Sequence, residues 1–504
     1  MNPTEYAARE AKQQAKEIVN LDGVTAKDAM HALIVHRFAP RRDDTGKVYG
    51  EPREGPNYAA SLRMVASRAR VEYAAITGGI PGETPVADAI KQFSAQADCG
   101  PTCVVPIRVA RLDDRSIVLN LGRADGQVVR VDPSGWETLD RSPVTFLPPS
   151  PMLGELPIPS VGCAVDDLRD LLNVTDQTWP MVLAWCVATL IPEIQHPALF
   201  VRGQQGSAKS SMLRILIGCT DPTGVGDCLM APPDEPEDLA VLLSNRWITA
   251  LDNMTEIKPW LSDALARAVT GSLFCRRMRY TQAELSTLAV TRPLAITGID
   301  ISGIGLDLND RALQIDLEPI TGGRFIAPAE LDARLKRLHG PILGALLETL
   351  AATERAAVEE NGKPIQSDNR MADFGRFLRH FDAATGLGAS EIYSDQRAAD
   401  AADAVEDSPL ATAIGRFIAV GQEWAGSPSE LIALLEPFAP PRDEKTGKRP
   451  RWPNSSEWMG RMLTKLAPAL ASIGVTVSKT RTGKKRSIGL SRTVTSDGMT
   501  GMTA

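Results

Sequence analysis

Apolar positions along the chain recur first at helical spacing, then at strand spacing, then in alternation, and each change of period marks a new segment. Residues 1–98 read as mostly helical, in AAREAKQQAKEIV and AASLRMVASRARVEYAAI, interrupted by the turn-rich RRDDTGKVYGEPREGPN. From Val104 the pattern shortens to the apolar runs VVPIRVA, SIVLNLG and QVVRV, separated by LDDR and RADG and followed by DPSG. Runs of that length between turn residues predict a β-meander over 99–158, ending in the proline-rich linker FLPPSPMLGELPIPS. Helical periodicity returns in VDDLRDLLNV and MVLAWCVATLI and leads into alternating strands and helices as far as residue 325. Amphipathic helices follow over 326–408, then a mixed helix and strand pattern over 409–492 and a flexible tail, 493–504.

A chain of 504 residues is too long for one core and predicts three or four domains. Its 43% hydrophobic and 23% charged content excludes a wholly disordered, collagen-like or coiled-coil protein. The longest apolar run, Met181 to Ile191, is eleven residues between two prolines. That is short of the roughly 18 to 20 needed to cross a bilayer, so it predicts a core helix and no membrane partner. The first twenty residues hold no apolar signal region, and a cytoplasmic location is expected. Seven cysteines, with no second Cys/His pair near Cys99 and Cys103, read as reduced structural thiols rather than a zinc site.

Charge is unevenly distributed. The net charge is -7, yet Pro441 to Arg492 carries thirteen Lys/Arg against three Asp/Glu. A basic module on an acidic body is the electrostatic footprint of a polyanion partner.

The segment ALFVRGQQGSAKSSMLRILIG places an apolar strand, a glycine turn and a helix in succession. Its centre, Gly203, Gln204, Gln205, Gly206, Ser207, Ala208, Lys209, Ser210 and Ser211, reads as a phosphate-binding loop for ATP. Small residues let successive backbone N–H groups curl around a phosphate at the positive end of the helix. Lys209 would reach the β/γ oxygens and Ser210 would ligate Mg²⁺. Ala208 stands where the usual pattern has glycine, and the expectation is that it needs only right-handed helical angles. Lying 43 residues after Lys209, RWITALDN is an apolar strand ending in Asp252, a carboxylate placed to hold Mg²⁺ through its water shell. The next residue is Asn253 where a catalytic Glu is usual. Either Asn253 orients the attacking water, or Glu256 or Asp263 acts as the base.

Beyond these come LSDALARAVTG, FCRRMRYTQAELSTLAV, the apolar strand PLAITG and DLNDRALQIDL. FCRRMRY alternates as a strand with Arg277 and Arg279 on one face, and TQAE is placed to fold it into a cationic hairpin. With GQQGSAKS, ALDN, LSDAL, RRMRYT, RPLAITGI and LNDRA in that order, residues 197–325 resemble the superfamily-three-like AAA+ helicases of phages, viruses and integrative mobile elements, including poxvirus-type primase-helicase motors. The resemblance implies that Arg276, Arg277 and Arg279 grip single-stranded DNA in a central pore. It implies a sensor role for Thr297, where such motors often have Asn, and an arginine finger, Arg311, acting across a subunit boundary. A salt bridge from Arg311 to Asp307 or Asp310 is the competing structural reading. A trans finger implies a closed homo-oligomeric ring, by analogy a hexamer.

The basic module reads as helix (SPSELIALLEPFA), basic loop, second helix (SSEWMGRMLTKLAPALASIG) and strand–turn–strand (VTVSKTRTGKKRSIGLS). Ser455 or Ser456 would cap the second helix and Gly474 would end it. The pattern looks like a winged helix. Its wing would offer Lys484, Lys485 and Arg486 to the phosphates of duplex DNA, and Arg461 and Lys465 lie one turn apart on the helix before it.

A search of the N-terminal half for paired metal-binding aspartates followed by a histidine fails: Asp113, Asp114 and Asp132 fall at turns, and no histidine occurs between His36 and His196. The expected fold class is therefore an α/β P-loop AAA+ motor with a helical and β-meander N-terminal region and a C-terminal winged helix. The expected activity is ATP-dependent DNA unwinding or translocation. The rivals are a non-unwinding ATPase switch, such as a loader or origin-recognition factor, and a DNA-binding module that binds nucleotide without hydrolysis.

Overall fold

The computed structural model describes residues 17, 23–162, 164–277, 285–321, 326–360, 371–406, 408–419, 421, 423–442, 449, 452–482 and 485–492. The chain divides into two compact units, Met1–Ser390 and Glu391–Ala504.

The first unit opens with α1 (Ala26–Arg37), capped by Thr25, whose hydroxyl accepts from the Asp28 N–H at 3.2 Å. The stretch expected to be turns is a hairpin instead, β1 (Phe38–Asp43) with β2 (Val48–Pro52). Asp43 explains it: its carboxylate accepts from the N–H groups of Thr45 and Lys47 and closes the turn that joins the two strands. These strands lie between β3 (Ala60–Ser61) and β4 (Thr102–Cys103) in the order β3-β2-β1-β4. Helices α2 (Leu62–Thr77) and α3 (Glu83–Asp98), with α1, pack Met30, Leu33, Phe38, Val65 and Phe93 into one small core. Residues 23–98 are therefore α and β together, because a polar run can pair as a hairpin whose one buried face rests on helices.

Next come β5 (Val109–Arg111), β6 (Ile117–Asn120), β7 (Val128–Asp132) and β8 (Gly135–Leu139), a four-stranded antiparallel meander. A buried ion pair joins it to the rest of the unit. Arg108, just before β5, donates from Nε to Asp221 at 2.8 Å and from its other nitrogens to the carbonyls of Asn120 and Gly154 at 2.9 Å each. The two side chains are 0% and 1% exposed. Asp221 spends its second oxygen on the N–H of Ile248, at 2.8 Å. Arg108→Ala is expected to cost about 3–5 kcal/mol, because it strands a buried carboxylate. Chemical denaturation of the full chain measures this, and a loss below about 1 kcal/mol would contradict the argument.

The centre of the unit is a five-stranded, wholly parallel sheet in the order β10-β11-β14-β9-β15. Its strands are β9 (Ala198–Gly203), β10 (Leu229–Met230), β11 (Thr249–Leu251), β14 (Leu294–Gly298) and β15 (Ala312–Leu317). Parallel neighbours need crossovers, and helices supply them: α6 (Lys209–Thr220) after β9, α7 (Pro236–Asn245) after β10 and α8 (Pro259–Thr270) after β11. Ahead of the sheet stand the short α4 (Val165–Arg169) and α5 (Trp179–Ala188). Every residue of α5 is buried, as its unbroken apolar run requires. Between α8 and β14 the chain makes a separate antiparallel pair, β12 (Ser272–Arg277) with β13 (Leu285–Val290), and α9 (Leu306–Asn309) precedes β15. The long α10 (Pro328–Glu359) then packs against α11 (Ala372–Thr385) and is tied to the meander by Arg111, whose guanidinium meets Glu354 at 2.9 and 3.0 Å.

The division between units falls inside α12 (Ala389–Glu406). In the second unit α13 (Pro409–Ala419), β16 (Trp424–Gly426), α14 (Pro428–Leu435) and α15 (Ser456–Ser472) are followed by β17 (Val475–Thr482) and β18 (Lys485–Arg492). The three strands form an antiparallel sheet in the order β16-β18-β17. Leu410, Ile414, Leu431, Trp452, Leu463 and Ile488 share its core. Ser455 caps α15, accepting from the Trp458 N–H at 3.2 Å, and Gly474 turns the chain out of it at φ 75°.

Candidate functional site

The residues that sequence reasoning singled out near Lys209 and Asp252 converge at the carboxyl ends of the central strands. The chain leaves β9 toward β14, β11 and β10 on one side, while β15 closes the other side. Crevices at such reversals of strand order are where open α/β sheets take ligands.

Gly203 ends β9 at φ 149°, and a Cβ there would lie 2.5 Å from the Leu317 carbonyl oxygen, so only glycine fits against β15. Ala208 sits at φ 62° and ψ 29°, in the left-handed region. This corrects the expectation of right-handed angles: the loop must reverse its curl before Lys209 starts α6, and an L-residue bears about 1–2 kcal/mol for doing so. Lys209 Nζ folds back onto the carbonyls of Gly203 and Gln204, at 2.7 and 2.8 Å. Partial burial lowers its pKa, and the charge of Asp252 works in the opposite direction. Among the described residues, the backbone N–H groups of Gln205, Gly206 and Ala208 make no hydrogen bond.

Asp252, at the end of β11, accepts from the Ser210 hydroxyl at 2.8 Å and, on the same oxygen, from the Thr297 hydroxyl at the end of β14. Thr297 also accepts from the Asn253 N–H at 3.0 Å, and its carbonyl accepts from Met254 at 2.8 Å. Asn253 takes φ 55°, which Asn tolerates better than most side chains. The start of α6 and the ends of β11 and β14 thus deliver Ser210, Asp252 and Thr297 to one hydrogen-bonded group. Ser211 lies on the first turn of α6, and Glu256 and Asp263 are exposed beyond β11.

Arg311 is not brought to this group. Its carbonyl accepts from the Ala198 N–H at 2.8 Å, which puts it at the start of β9, five residues before Gly203. At roughly 3.3 Å per residue the separation along the strand is about 17 Å, beyond the reach of one side chain. Its guanidinium is ion-paired to Asp307 and donates to the Asp307 carbonyl at 2.7 Å, and its buried Nε has no partner among the described residues.

Of the cationic residues expected at DNA, Arg276 and Arg277 lie on β12, Lys485 and Arg486 on β18, and Lys465 on α15. Arg279 and Lys484, with the TQAE turn, lie outside the described residues. Arg461 on α15 is 70% exposed and 3.9 Å from Glu457. A cavity of about 660 Å³, lined in part by Asp44, Val105, Val241, Trp247 and Arg292, shares no residue with the loop. Among the described residues no helix is long and apolar enough to cross a membrane.

Sequence reasoning missed two contributors. Arg108 had a signal, a charge inside the apolar run VVPIRVA. Asn173 had none: it lies between α4 and α5 and donates from Nδ2 to the carbonyls of Ser207 and Glu318, at 3.1 and 2.7 Å.

No curated protein matches the chain. Among solved structures, the C-terminal region of NrS-1 is similar at 11% identity and TM-score 0.38 over 91% of this chain and 98% of that one; a second structure of that region gives 10% and 0.36. JCV helicase gives 15% identity and 0.23 over 44% of this chain and 58% of its own. Scores this low carry no functional argument. The family models do. The model described as actinomycete integrative conjugative element replication protein matches residues 165–404, and the model of the C-terminal domain of the same family matches 410–498. Together they cover roughly two thirds of the chain, and the chain belongs to the RepA family of replication proteins of actinomycete integrative conjugative elements.

Proposed function

We propose that this replication protein is an ATP-dependent DNA translocase, the replicative helicase of its element, with the strand–loop–helix Ala198–Thr220 as its P-loop. The observation that carries the reading is the group Ser210–Asp252–Thr297, brought from one helix start and two strand ends to the mouth of a loop whose N–H groups at Gln205, Gly206 and Ala208 make no hydrogen bond among the described residues. Free amides at a helix start suit a phosphate, and an acid–hydroxyl pair 2.8 Å apart suits a hard divalent cation. Ser210 and Asp252 would hold Mg²⁺, which when bound neutralises charge on the phosphate oxygens.

The rest of the action belongs to the chain. The loop amides and Lys209 would orient the triphosphate, exchanging the carbonyls of Gly203 and Gln204 for phosphate oxygens. Thr297 would fix the Asp252 carboxylate. Asn253, Glu256 or Asp263 would orient or deprotonate the attacking water. The β12–β13 hairpin, with Arg276, Arg277 and Arg279, would grip one DNA strand. The C-terminal unit, with α14 and α15 between β16 and β17 of the β16-β18-β17 sheet, would act as a winged helix and hold duplex on Arg461, Lys465, Lys484, Lys485 and Arg486, mainly through phosphates and so with steep salt dependence.

The test is displacement of a labelled strand from forked DNA by the full chain with ATP, beside Lys209→Ala. Displacement by the wild type alone supports a helicase. DNA-stimulated hydrolysis without displacement would favour the ATPase switch, a reading to which Asn253 in place of Glu lends weight.

A further inference from the structure

We infer that Asn173, outside the phosphate loop, is a positioning residue that sets the direction of a loop amide toward a nucleoside di- or triphosphate. The inference rests on the proposed reading of the loop and deepens it.

Asn173 belongs to a connection that is itself held firmly. Thr175 and Thr178 bond each other reciprocally, N–H to hydroxyl, at 2.9 and 3.2 Å, and Arg169 pairs with Asp176. The connection then enters α5, which is buried along its whole length. From this support the Asn173 amide donates to Glu318 at the exit of β15 and to Ser207 within the loop, so one NH₂ group ties together the chain beyond two neighbouring strands.

The consequence follows from peptide geometry. In a trans peptide the carbonyl of one residue and the N–H of the next point in opposite directions. Drawing the Ser207 carbonyl outward to Asn173 therefore turns the Ala208 N–H inward, toward the concave side of the loop. The Ser207 N–H reaches the Gln204 carbonyl at 3.3 Å, and among the described residues its buried hydroxyl has no partner, so its side chain does not hold the peptide in place. Ala208 is also the residue in the left-handed region, where the peptide has most need of external support. Lys209 occupies the carbonyls of Gly203 and Gln204. With its Ser207 carbonyl held by Asn173, the peptide between Ser207 and Ala208 leaves the Ala208 amide for an anion.

The experiment compares MgADP binding and melting of the full chain for wild type, Asn173→Ala, Asn173→Asp, Asn173→Gln and Lys209→Ala. Asn173→Ala and Asn173→Asp, which lack the donor, should raise the MgADP Kd about five- to tenfold. Their melting temperature without nucleotide should stay near that of the wild type, while the rise on adding MgADP shrinks. Asn173→Gln keeps the amide and should recover much of the affinity. Wild-type affinity in Asn173→Ala and Asn173→Asp, alongside its loss in Lys209→Ala, would overturn the inference and leave the loop assignment intact. So would Asn173→Gln binding no better than Asn173→Ala, or a fall in nucleotide-free melting as large as the loss of binding, which marks a purely structural residue. MgADP binding by Lys209→Ala at wild-type strength would instead remove the nucleotide reading itself, and this inference with it.

Discussion

Lys209→Ala is expected to abolish ATP hydrolysis, with turnover falling at least 10²–10³-fold, about the effect of removing one preorganised charged or polar donor from a reacting centre. The side chain leaves the start of α6, lies over the loop and already spans the two carbonyls at its entrance. Burial depresses the pKa of its ammonium, against the opposing charge of Asp252. A triphosphate supplies an anionic partner, so the charge should be held more firmly in the complex than in the free chain. Steady-state phosphate release with saturating DNA is the measurement. Turnover equal to wild type would refute the phosphate-loop assignment, and with it the proposed motor. Because Lys209 is only partly buried, the variant should fold, and an unchanged melting temperature without nucleotide separates lost chemistry from lost structure.

Arg311→Ala carries the second large effect, a loss of hydrolysis of roughly 10³–10⁵-fold if Arg311 acts as a finger on a neighbouring subunit. Its position makes the prediction sharp. Paired to the start of β9 and not its end, Arg311 cannot serve the loop of its own chain. Its link to Asp307 joins a carboxylate 50% exposed to an arginine side chain only 14% exposed, so the nucleotide-free melting temperature is read beside turnover to separate lost chemistry from lost packing. Arg311→Ala should therefore bind ATP normally and hydrolyse poorly. Mixed with Lys209→Ala it should regain activity, because subunits carrying an intact Arg311 then complete intact loops. Absence of any gain on mixing would argue against a shared site and favour the ion pair with Asp307 as the whole role of Arg311.

Legibility in the sequence varied with the range of the interactions involved. The loop around Lys209 was readable because its chemistry is local: a strand, small residues and a helix start occupy adjacent positions, so spacing alone reports them. The antiparallel pair β12 and β13 was readable for the same reason, through alternation along neighbouring residues. The hairpin of β1 and β2 was misread as turns. Its strands are polar, and only one face of each rests on Phe38 and the helices behind it. Ala208 was misread because backbone curl at one residue depends on where the chain must go next, and residue type alone indicates only what is tolerated.

By itself the sequence determined the order of the parts, the succession of strand, glycine loop and helix around Lys209, the apolar strand before Asp252, the core helix from Trp179 and the concentration of positive charge near the C-terminus, all properties of neighbours along the chain. Only the tertiary structure decided that Thr297 and Ser210 meet on one oxygen of Asp252, that Asn173 holds Ser207, that Arg108 is neutralised by Asp221 and that Arg311 stands at the far end of its own sheet. Those are distances between residues tens to more than a hundred positions apart, set by which strands lie side by side. Period and composition carry no record of such pairings, because the free energy that selects them comes from burial and hydrogen bonding across the folded sheet.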